Sequence, residues 1–269
     1  MLNKWVLHEK RISSGFHFEV FDITEKASVN KDITDYLSQN LINNFVPLDV
    51  LEIRFKNRTE KELENYITNE LFAPNGNQLE KNVRQGDWGE ALTALVAVEI
   101  KELTLPAFKL RYKTNRKKSL MGLDVLAVES DDKDNFKKVI LFESKTKITY
   151  DKQIGAEAYN SLRKDSDSAC IDMINFLSAR FYEHGDYVTA QKFDDLASMP
   201  DSINKEYHAI IIMEKKLWRE DILDELNNQT DFDFEDTYIN VFLISDLKKL
   251  ISDVYSNTFE VAKRIVYGK

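Results

Sequence analysis

Alternating apolar and polar residues predict a series of β-strands along the chain. In residues 16–23, Phe16, Phe18 and Val20 occupy every second position, which is typical of a half-buried strand. The same period, or a short apolar run, predicts further strands at 49–55, 107–113, 122–129, 138–146, 207–214 and 238–244. The run YHAIIIME at 207–214 is apolar enough to form a buried strand.

Helical patterns separate these strands. Residues 59–72 begin with Thr59 and Glu62, a capping box that satisfies the free N–H groups at a helix start. Other helices are predicted at 32–45, 84–102, 151–182 with a break near 164–165, 188–197, 217–227 and 246–255. From residue 84 onward, a helix, three strands, a helix and a strand predict an α/β fold in which helices cover a mixed sheet. Hairpins can join the three consecutive strands, whereas the later strand needs a crossover.

A cluster of turn-forming residues divides the chain. Residues 74–78, PNGNQ, combine Pro, Gly and Asn in a sequence that has only 8 Gly and 4 Pro. We therefore predict an α+β N-terminal accessory region at 1–78 and a second domain at 79–269.

Charged residues interrupt three of the apolar segments of the second domain. Asp124 lies in GLDVLAV, Glu143 and Lys145 lie in VILFESK, and Glu90 lies on the helix before them. A carboxylate in such a run is costly to desolvate unless it has a partner. The strand period places Glu143 and Lys145 on one face, and one register of neighbouring strands puts Asp124 opposite Glu143.

Two opposed carboxylates favour a divalent metal ion, because each anion otherwise raises the pKa of the other. Oxygen ligands without His or Cys favour Mg²⁺ or Mn²⁺ over zinc. We expect Asp124 and Glu143 to be ligands and Glu90 to complete or tune the site. Lys145 is expected to orient an attacking water and to stabilise charge on a phosphate, so the pattern predicts phosphodiester hydrolysis.

Each of these residues also has a structural interpretation. An isolated Asp or Glu is most often exposed or in a salt bridge. Asp124 alone can cap a turn, Glu143 and Lys145 can be an exposed ion pair, and Glu90 can interact with a helix dipole. The joint pattern in three apolar segments favours the catalytic interpretation.

The order Asp124, then Glu143-Ser144-Lys145, resembles the motif of the PD-(D/E)xK nuclease superfamily, with Leu123 in place of the motif's Pro. Glu90 resembles the additional glutamate that many members carry on the preceding helix. The resemblance implies a restriction-endonuclease-like core at 79–269 and a Mg²⁺-dependent deoxyribonuclease.

More narrowly, RQGDWGEALTALV, MGLDVLAVES and LFESKTKIT resemble the HamA family of the Hachiman anti-phage system, and AbpA-type proteins, from about residue 80 onward. This resemblance implies a DNase effector that is controlled by a superfamily 2 helicase, HamB in Hachiman. The alternative from another class is a catalytically silent adaptor that docks a helicase or binds DNA, and an RNase is a third interpretation.

A basic segment precedes Asp124. Residues 109–118, KLRYKTNRKK, hold six basic side chains and no acidic one. We predict that Lys113, Arg116, Lys117 and Lys118 contact the DNA backbone with little sequence specificity, the alternative being a solvated hairpin loop.

The net charge of −9 comes from 46 acidic and 37 basic residues, and it argues against a protein that coats polyanions. However, residues 220–247 alone hold nine acids and no Lys or Arg, so the rest of the chain is neutral. This acidic segment is either a solvated face or a surface that docks a basic partner or repels stray DNA.

Other features restrict the class of protein. A single cysteine, Cys170, excludes an internal disulfide framework and a multi-Cys zinc site, and the four histidines show no ligand spacing. Motifs of serine hydrolases, P-loop proteins and Rossmann folds are absent from the sequence. No apolar run reaches the roughly 20 residues of a membrane span, so we expect no membrane partner and a cytoplasmic location.

Overall fold

A mixed β-sheet of six strands organises the part of the chain that the computed structural model describes, residues 1–12, 15–119, 122–130, 135–163, 166–198 and 204–268. The strands are β1 (Val6–Lys10), β2 (Glu19–Glu25), β3 (Val125–Ser130), β4 (Phe136–Lys147), β5 (Lys205–Glu214) and β6 (Thr237–Ile244). Their order across the sheet is β1-β2-β6-β5-β4-β3. The four central strands are parallel, whereas the edge strands β1 and β3 run antiparallel to their neighbours.

Helices cover both faces of this sheet. They are α1 (Leu2–Trp5), α2 (Lys31–Phe45), α3 (Leu48–Phe55), α4 (Glu60–Asn65), α5 (Gln78–Leu95), α6 (Ile154–Arg163), α7 (Ser166–Glu183), α8 (Tyr187–Ser198), α9 (Asp221–Asn227) and α10 (Leu247–Tyr267). Short π-helical turns at Tyr66–Leu71 and Val96–Ile100 follow α4 and α5, and 3₁₀ turns lie at Lys109–Tyr112 and Lys215–Leu217. No helix in these described ranges is both long and apolar enough to cross a membrane.

Successive residues of the strands contribute to two different hydrophobic cores. In β4, Ile140 and Phe142 pack in a core that also contains α2, α5 and α10. Val139 and Leu141 pack in the opposite core, which contains α6, α7 and α9. This alternation is what the two-residue period of a strand predicts, and it confirms the α/β class with helices on both faces of a mixed sheet.

Two predicted strands are wrong. Residues 49–55 lie in helix α3, where Leu51 and Phe55 are buried four residues apart, so the alternation was compatible with a helix as well. Residues 107–113 form the 3₁₀ turn at Lys109–Tyr112 instead of a strand. The predicted strand at 122–129 begins at Val125, so Asp124 precedes it.

Other elements follow the predictions. Thr59 and Glu62 form the predicted capping box, although α4 passes into a π-helical turn. The predicted helix break at 164–165 lies outside the described residues.

Strands β1 and β2, from the region before residue 78, belong to the same sheet as the later strands, because β2 pairs with β6. The division at residue 78 stays a prediction.

A glycine allows α5 to approach the sheet closely. A Cβ atom added at Gly89 would overlap Thr146 Oγ1 and lie 3.3 Å from Thr146 Cβ on β4. Gln85, one turn earlier, donates a hydrogen bond from Nε2 to the Thr146 carbonyl. The close approach holds the α5 turn that carries Glu90 against the sheet.

We therefore expect Gly89→Ala to lower the free energy of unfolding by about 1–3 kcal/mol, because the added methyl group meets a packed strand. The matched control is Gly86→Ala on the same helix, where nothing lies within 4 Å of the added Cβ. That variant should be more stable by about 0.5–1 kcal/mol, since Ala costs less backbone entropy than Gly. Urea unfolding measures both, and equal effects at the two positions would contradict the close approach.

A buried histidine makes stability depend on pH. His208 lies between the rings of Phe142 and Tyr238, with centroids 4.9 and 4.7 Å away. Burial lowers the pKa of His208 to about 4, although a hydrogen bond to Glu206 opposes the shift. The folded protein therefore keeps His208 neutral at a pH where an unfolded histidine, with its pKa near 6.5, takes up a proton.

Stability should consequently fall as the pH falls from about 6.5 towards 4, and this residue should account for a loss of about 2 kcal/mol between pH 8 and pH 5. Urea unfolding at the two pH values measures it. His208→Gln should reduce the pH dependence by that amount, whereas His184→Gln, at an exposed position, should not. The same pH dependence in His208→Gln and the wild type would contradict this assignment.

Candidate active site

The candidate residues meet where β3 begins beside the continuing strand β4. Val125 pairs with Phe142, so extending this antiparallel register by one residue places Asp124 opposite Glu143. Gly122, with a φ of +87°, forms the turn before Asp124 in a conformation that favours glycine. This is the register that brings the two carboxylates together.

Glu143 and Lys145 form an ion pair on one face of β4. The distance from Lys145 Nζ to Glu143 Oε1 is 2.7 Å, and the side chains are 25% and 9% exposed. Burial, followed by the negative charge of Asp124, raises the pKa of Glu143 to about 7, although Lys145 opposes the shift. An additional positive charge at the site would therefore stabilise the ionised form of Glu143.

Ser144 fixes the orientation of Asp124. Asp124 Oδ2 accepts hydrogen bonds from the Ser144 backbone N–H at 2.8 Å and from its hydroxyl at 2.9 Å. These two bonds leave Asp124 Oδ1 for other partners. Ser144 was not identified from the sequence, although it is the middle residue of the Glu-Ser-Lys motif.

Lys109 is a second site residue that sequence reasoning missed. Its Nζ lies 3.5 Å from Asp124 Oδ1 and 3.9 Å from Glu90 Oε2, and it donates a hydrogen bond to the Gly122 carbonyl at 3.0 Å. The side chain is only 9% exposed. An ammonium group thus neutralises two of the three carboxylates that were expected to share a metal ion. The basic composition of 109–118 is the available sequence signal, but it predicts a DNA-binding surface and does not single out Lys109.

Glu90 reaches this cluster from α5. It is buried, and this burial raises its pKa well above the usual value, with a further contribution from the negative charge of Asp124. Lys109 opposes the shift. The structure thus brings Glu90, Asp124 and Lys109 together, while Glu143 and Lys145 pair with each other on the adjoining strand.

The donor set suits a hard divalent cation, because Asp124 and Glu143 supply carboxylate oxygens, and Glu143 is buried while Asp124 is half-buried. In the described ranges, however, no group of three or more His, Cys, Asp or Glu side chains is arranged to hold a metal ion. Lys109 supplies the positive charge beside Asp124 and Glu90 instead. The carboxylates can bind a metal ion if the Lys109 ammonium gives up its contacts with Asp124 and Glu90 to that ion.

The predicted DNA contacts differ in accessibility. The prediction for Lys113 is wrong, because its side chain is only 2% exposed and its Nζ lies 2.5 Å from Asp87 Oδ1 in a buried ion pair. Arg116 is half-buried and donates to the Phe72 carbonyl, whereas Lys117, paired with Glu80 at 2.8 Å, is 57% exposed and Lys118 is exposed. These last three residues stay predicted contacts.

The acidic segment 220–247 is partly neutralised by the rest of the chain. Glu220 pairs with Arg11, Glu225 with Lys152, and Asp233 with Arg163. Asp231, Glu235 and Asp236 are exposed. These contacts agree with a solvated face and leave the docking alternative untested.

The comparisons with known proteins identify the family. The model of the HamA family matches residues 1–258 of the 269 in the chain, which includes the N-terminal region that the sequence motifs did not cover. No curated protein matches the chain. The chain belongs to the HamA family, and this membership implies a part in Hachiman-type anti-phage defence.

Proposed function

We propose that this protein is a Mg²⁺- or Mn²⁺-dependent nuclease that cleaves DNA phosphodiester bonds with little sequence specificity. The observation that carries the proposal is the Glu143–Lys145 pair on β4, which lies opposite Asp124 beside the start of β3. The Glu143 carboxylate of this pair is buried, and burying it costs free energy that one partly exposed lysine offsets only in part. Membership of the HamA family supports the same interpretation.

Asp124 and Glu143 would hold the metal ion, and Glu90 would complete or tune the site. When bound, the metal lowers the pKa of a coordinated water and polarises the phosphate. Ser144 keeps Asp124 oriented through its N–H and hydroxyl, so the carboxylate is placed before substrate arrives. Lys145, one-quarter exposed beside Glu143, can stabilise negative charge that develops on a phosphate oxygen.

The substrate backbone would lie along the basic segment that follows Lys109. Arg111, Asn115, Arg116 and Lys117 line a cavity of 520 Å³, together with Tyr66 from the first half of the chain. Phosphates attract such cations without regard to base sequence. This arrangement supports backbone recognition.

A helicase partner is the second part of the proposal. The resemblance to HamA implies that a superfamily 2 helicase restrains the nuclease until infection alters DNA. The exposed acids of the 220–247 segment are a candidate contact for a basic surface of that partner. Replacing Asp231, Asp233, Glu235 and Asp236 with Lys should then weaken helicase binding or raise basal DNA affinity. If neither quantity changes, this role of the segment is discarded.

The function is tested by incubating the protein with linear DNA, circular DNA and RNA of matched sequence, each with Mg²⁺ or with EDTA. Every condition is run with and without the partner helicase. We expect cleavage of DNA that requires Mg²⁺. Cleavage of RNA alone would show that RNA, not DNA, is the substrate. The absence of cleavage under every condition would contradict the proposed nuclease function.

The rival function is a silent adaptor, which predicts no specific metal binding at these residues. Titration with Mg²⁺ or Mn²⁺ should raise the melting temperature of a nuclease, since a ligand that binds only the folded state stabilises it. The Asp124→Ala variant should lose this increase. A wild-type protein that shows no such metal-dependent increase favours the adaptor.

A further inference from the structure

A cavity beside the outer edge of β3 adjoins the candidate active site. Its volume is 520 Å³, within the usual range for sites that take small molecules. Leu105, Phe108, Leu123, Met173 and Phe176 contribute its apolar walls, from the segment before Lys109, from the turn before β3 and from α7. The cavity is thus formed by elements distant in sequence.

The same cavity reaches the carboxylates. Glu90, Lys109 and Asp124 are part of its lining, and Lys109 Nζ lies within 4 Å of both acids. A group that enters the cavity is therefore next to the position where the scissile phosphate would be held. The occupant is expected to be the part of a nucleic acid that adjoins this phosphate.

Charge distinguishes the base from the phosphate as the occupant. Glu90, Asp124 and Asp172 are the acids in the lining, and Lys109 is the cation described there, already engaged by two of them. These acids would repel a phosphate, whereas an uncharged base meets no such repulsion and only has to release its bound water.

Aromatic rings and hydrogen-bonding groups suit a base. Phe176 meets Tyr112 edge to face, with centroids 4.9 Å apart, and both rings line the cavity with Phe108. Asn44 adds an amide to the lining. Unstacked bases are bound in this way, by contact with aromatic faces and by hydrogen bonds to the base edge.

We propose that this cavity binds one unpaired nucleoside next to the scissile phosphate, so that the enzyme prefers single-stranded or frayed DNA over intact duplex. This inference rests on the proposed nuclease function and names its substrate form. It also gives a helicase a chemical role, since unwinding supplies the unpaired nucleoside.

The test uses a single-stranded oligonucleotide that carries 2-aminopurine at one position, with EDTA present to prevent cleavage. The full chain is used, alone and with the partner helicase. Ala169→Trp on α7 fills the cavity, because Ala169 lines it and is half-buried. The matched control is Ala179→Trp, an exposed position on the same helix that does not line the cavity.

The 2-aminopurine is placed at each position of the oligonucleotide in turn. At one of these positions we expect its fluorescence to change when the oligonucleotide binds the wild type or Ala179→Trp, but not when it binds Ala169→Trp. Removing the base at that position should weaken wild-type binding about tenfold and leave Ala169→Trp unaffected. DNA cleavage by a wild type with no base-dependent binding would overturn this inference alone. A chain that neither binds nor cleaves DNA would overturn the nuclease function as well.

Discussion

Replacing Glu143 with Gln, or Lys145 with Met, is expected to lower the rate of DNA cleavage by about 10²–10³-fold. Gln keeps the shape of Glu143 but removes the charge that a metal ion needs. Met resembles the unbranched apolar stem of Lys145 but lacks the ammonium group, which lies 2.7 Å from Glu143 Oε1. The rate is measured on labelled DNA with saturating Mg²⁺.

The control for this prediction is Lys147→Met. Lys147 lies two residues further along β4 on the same face, but it pairs with Asp151 at 2.7 Å and is not part of the candidate site. It should keep the wild-type cleavage rate. If Lys147→Met and Lys145→Met lost activity equally, the effect would come from surface charge and not from the site.

Replacing Lys109 with Met is expected to have opposite effects on stability and on metal binding. Without metal, the free energy of unfolding should fall by about 3 kcal/mol, because the buried Glu90 and the half-buried Asp124 lose their nearest cation. The affinity for Mn²⁺ should rise at least about tenfold, since the ammonium no longer competes for Asp124 and Glu90. Calorimetric titration measures the affinity, and urea unfolding measures the stability.

Lys152→Met separates this effect from the general loss of a lysine. Lys152 pairs with Glu225 at 2.8 Å at a half-exposed position, outside the candidate site. Its replacement should change neither quantity by more than a small amount, as for most surface pairs. An unchanged Mn²⁺ affinity in Lys109→Met would show that the lysine does not occupy the metal position.

The central strands were predictable because their local sequence is unambiguous. In β4, β5 and β6 the apolar runs are long, and each is buried on both faces by helices. The charged residues of β4 were conspicuous for the same reason. Their pairing followed from the two-residue strand period alone, as the Glu143–Lys145 contact shows.

The errors arose in segments where two periods fit the same residues. Leu51 and Phe55 are four residues apart, a spacing that puts them on one face of either a strand or a helix. In the fold they form a helix, whose buried face packs in the core that contains α10. Strand β1 was missed because its sequence, VLHEK, has little apolar character, as is common for an edge strand.

The position of Lys109 required the tertiary structure. Its partners Glu90 and Asp124 lie on α5 and at the start of β3, and only the folded chain brings them to one ammonium group. The same is true of Lys113, which the sequence placed on the surface and which Asp87 of α5 holds in the interior. The sequence of a basic segment therefore shows that the segment is positively charged, but it does not show which of its side chains face solvent.

The most direct test of the proposed active site is the single-turnover rate of DNA cleavage by the wild type and by Asp124→Asn, measured against Mg²⁺ concentration with the partner helicase present. The wild-type rate should rise with Mg²⁺ and vanish in EDTA, and the Asp124→Asn variant should show no cleavage. Equal rates for the two proteins, or cleavage that persists without a divalent metal ion, would contradict the proposed active site.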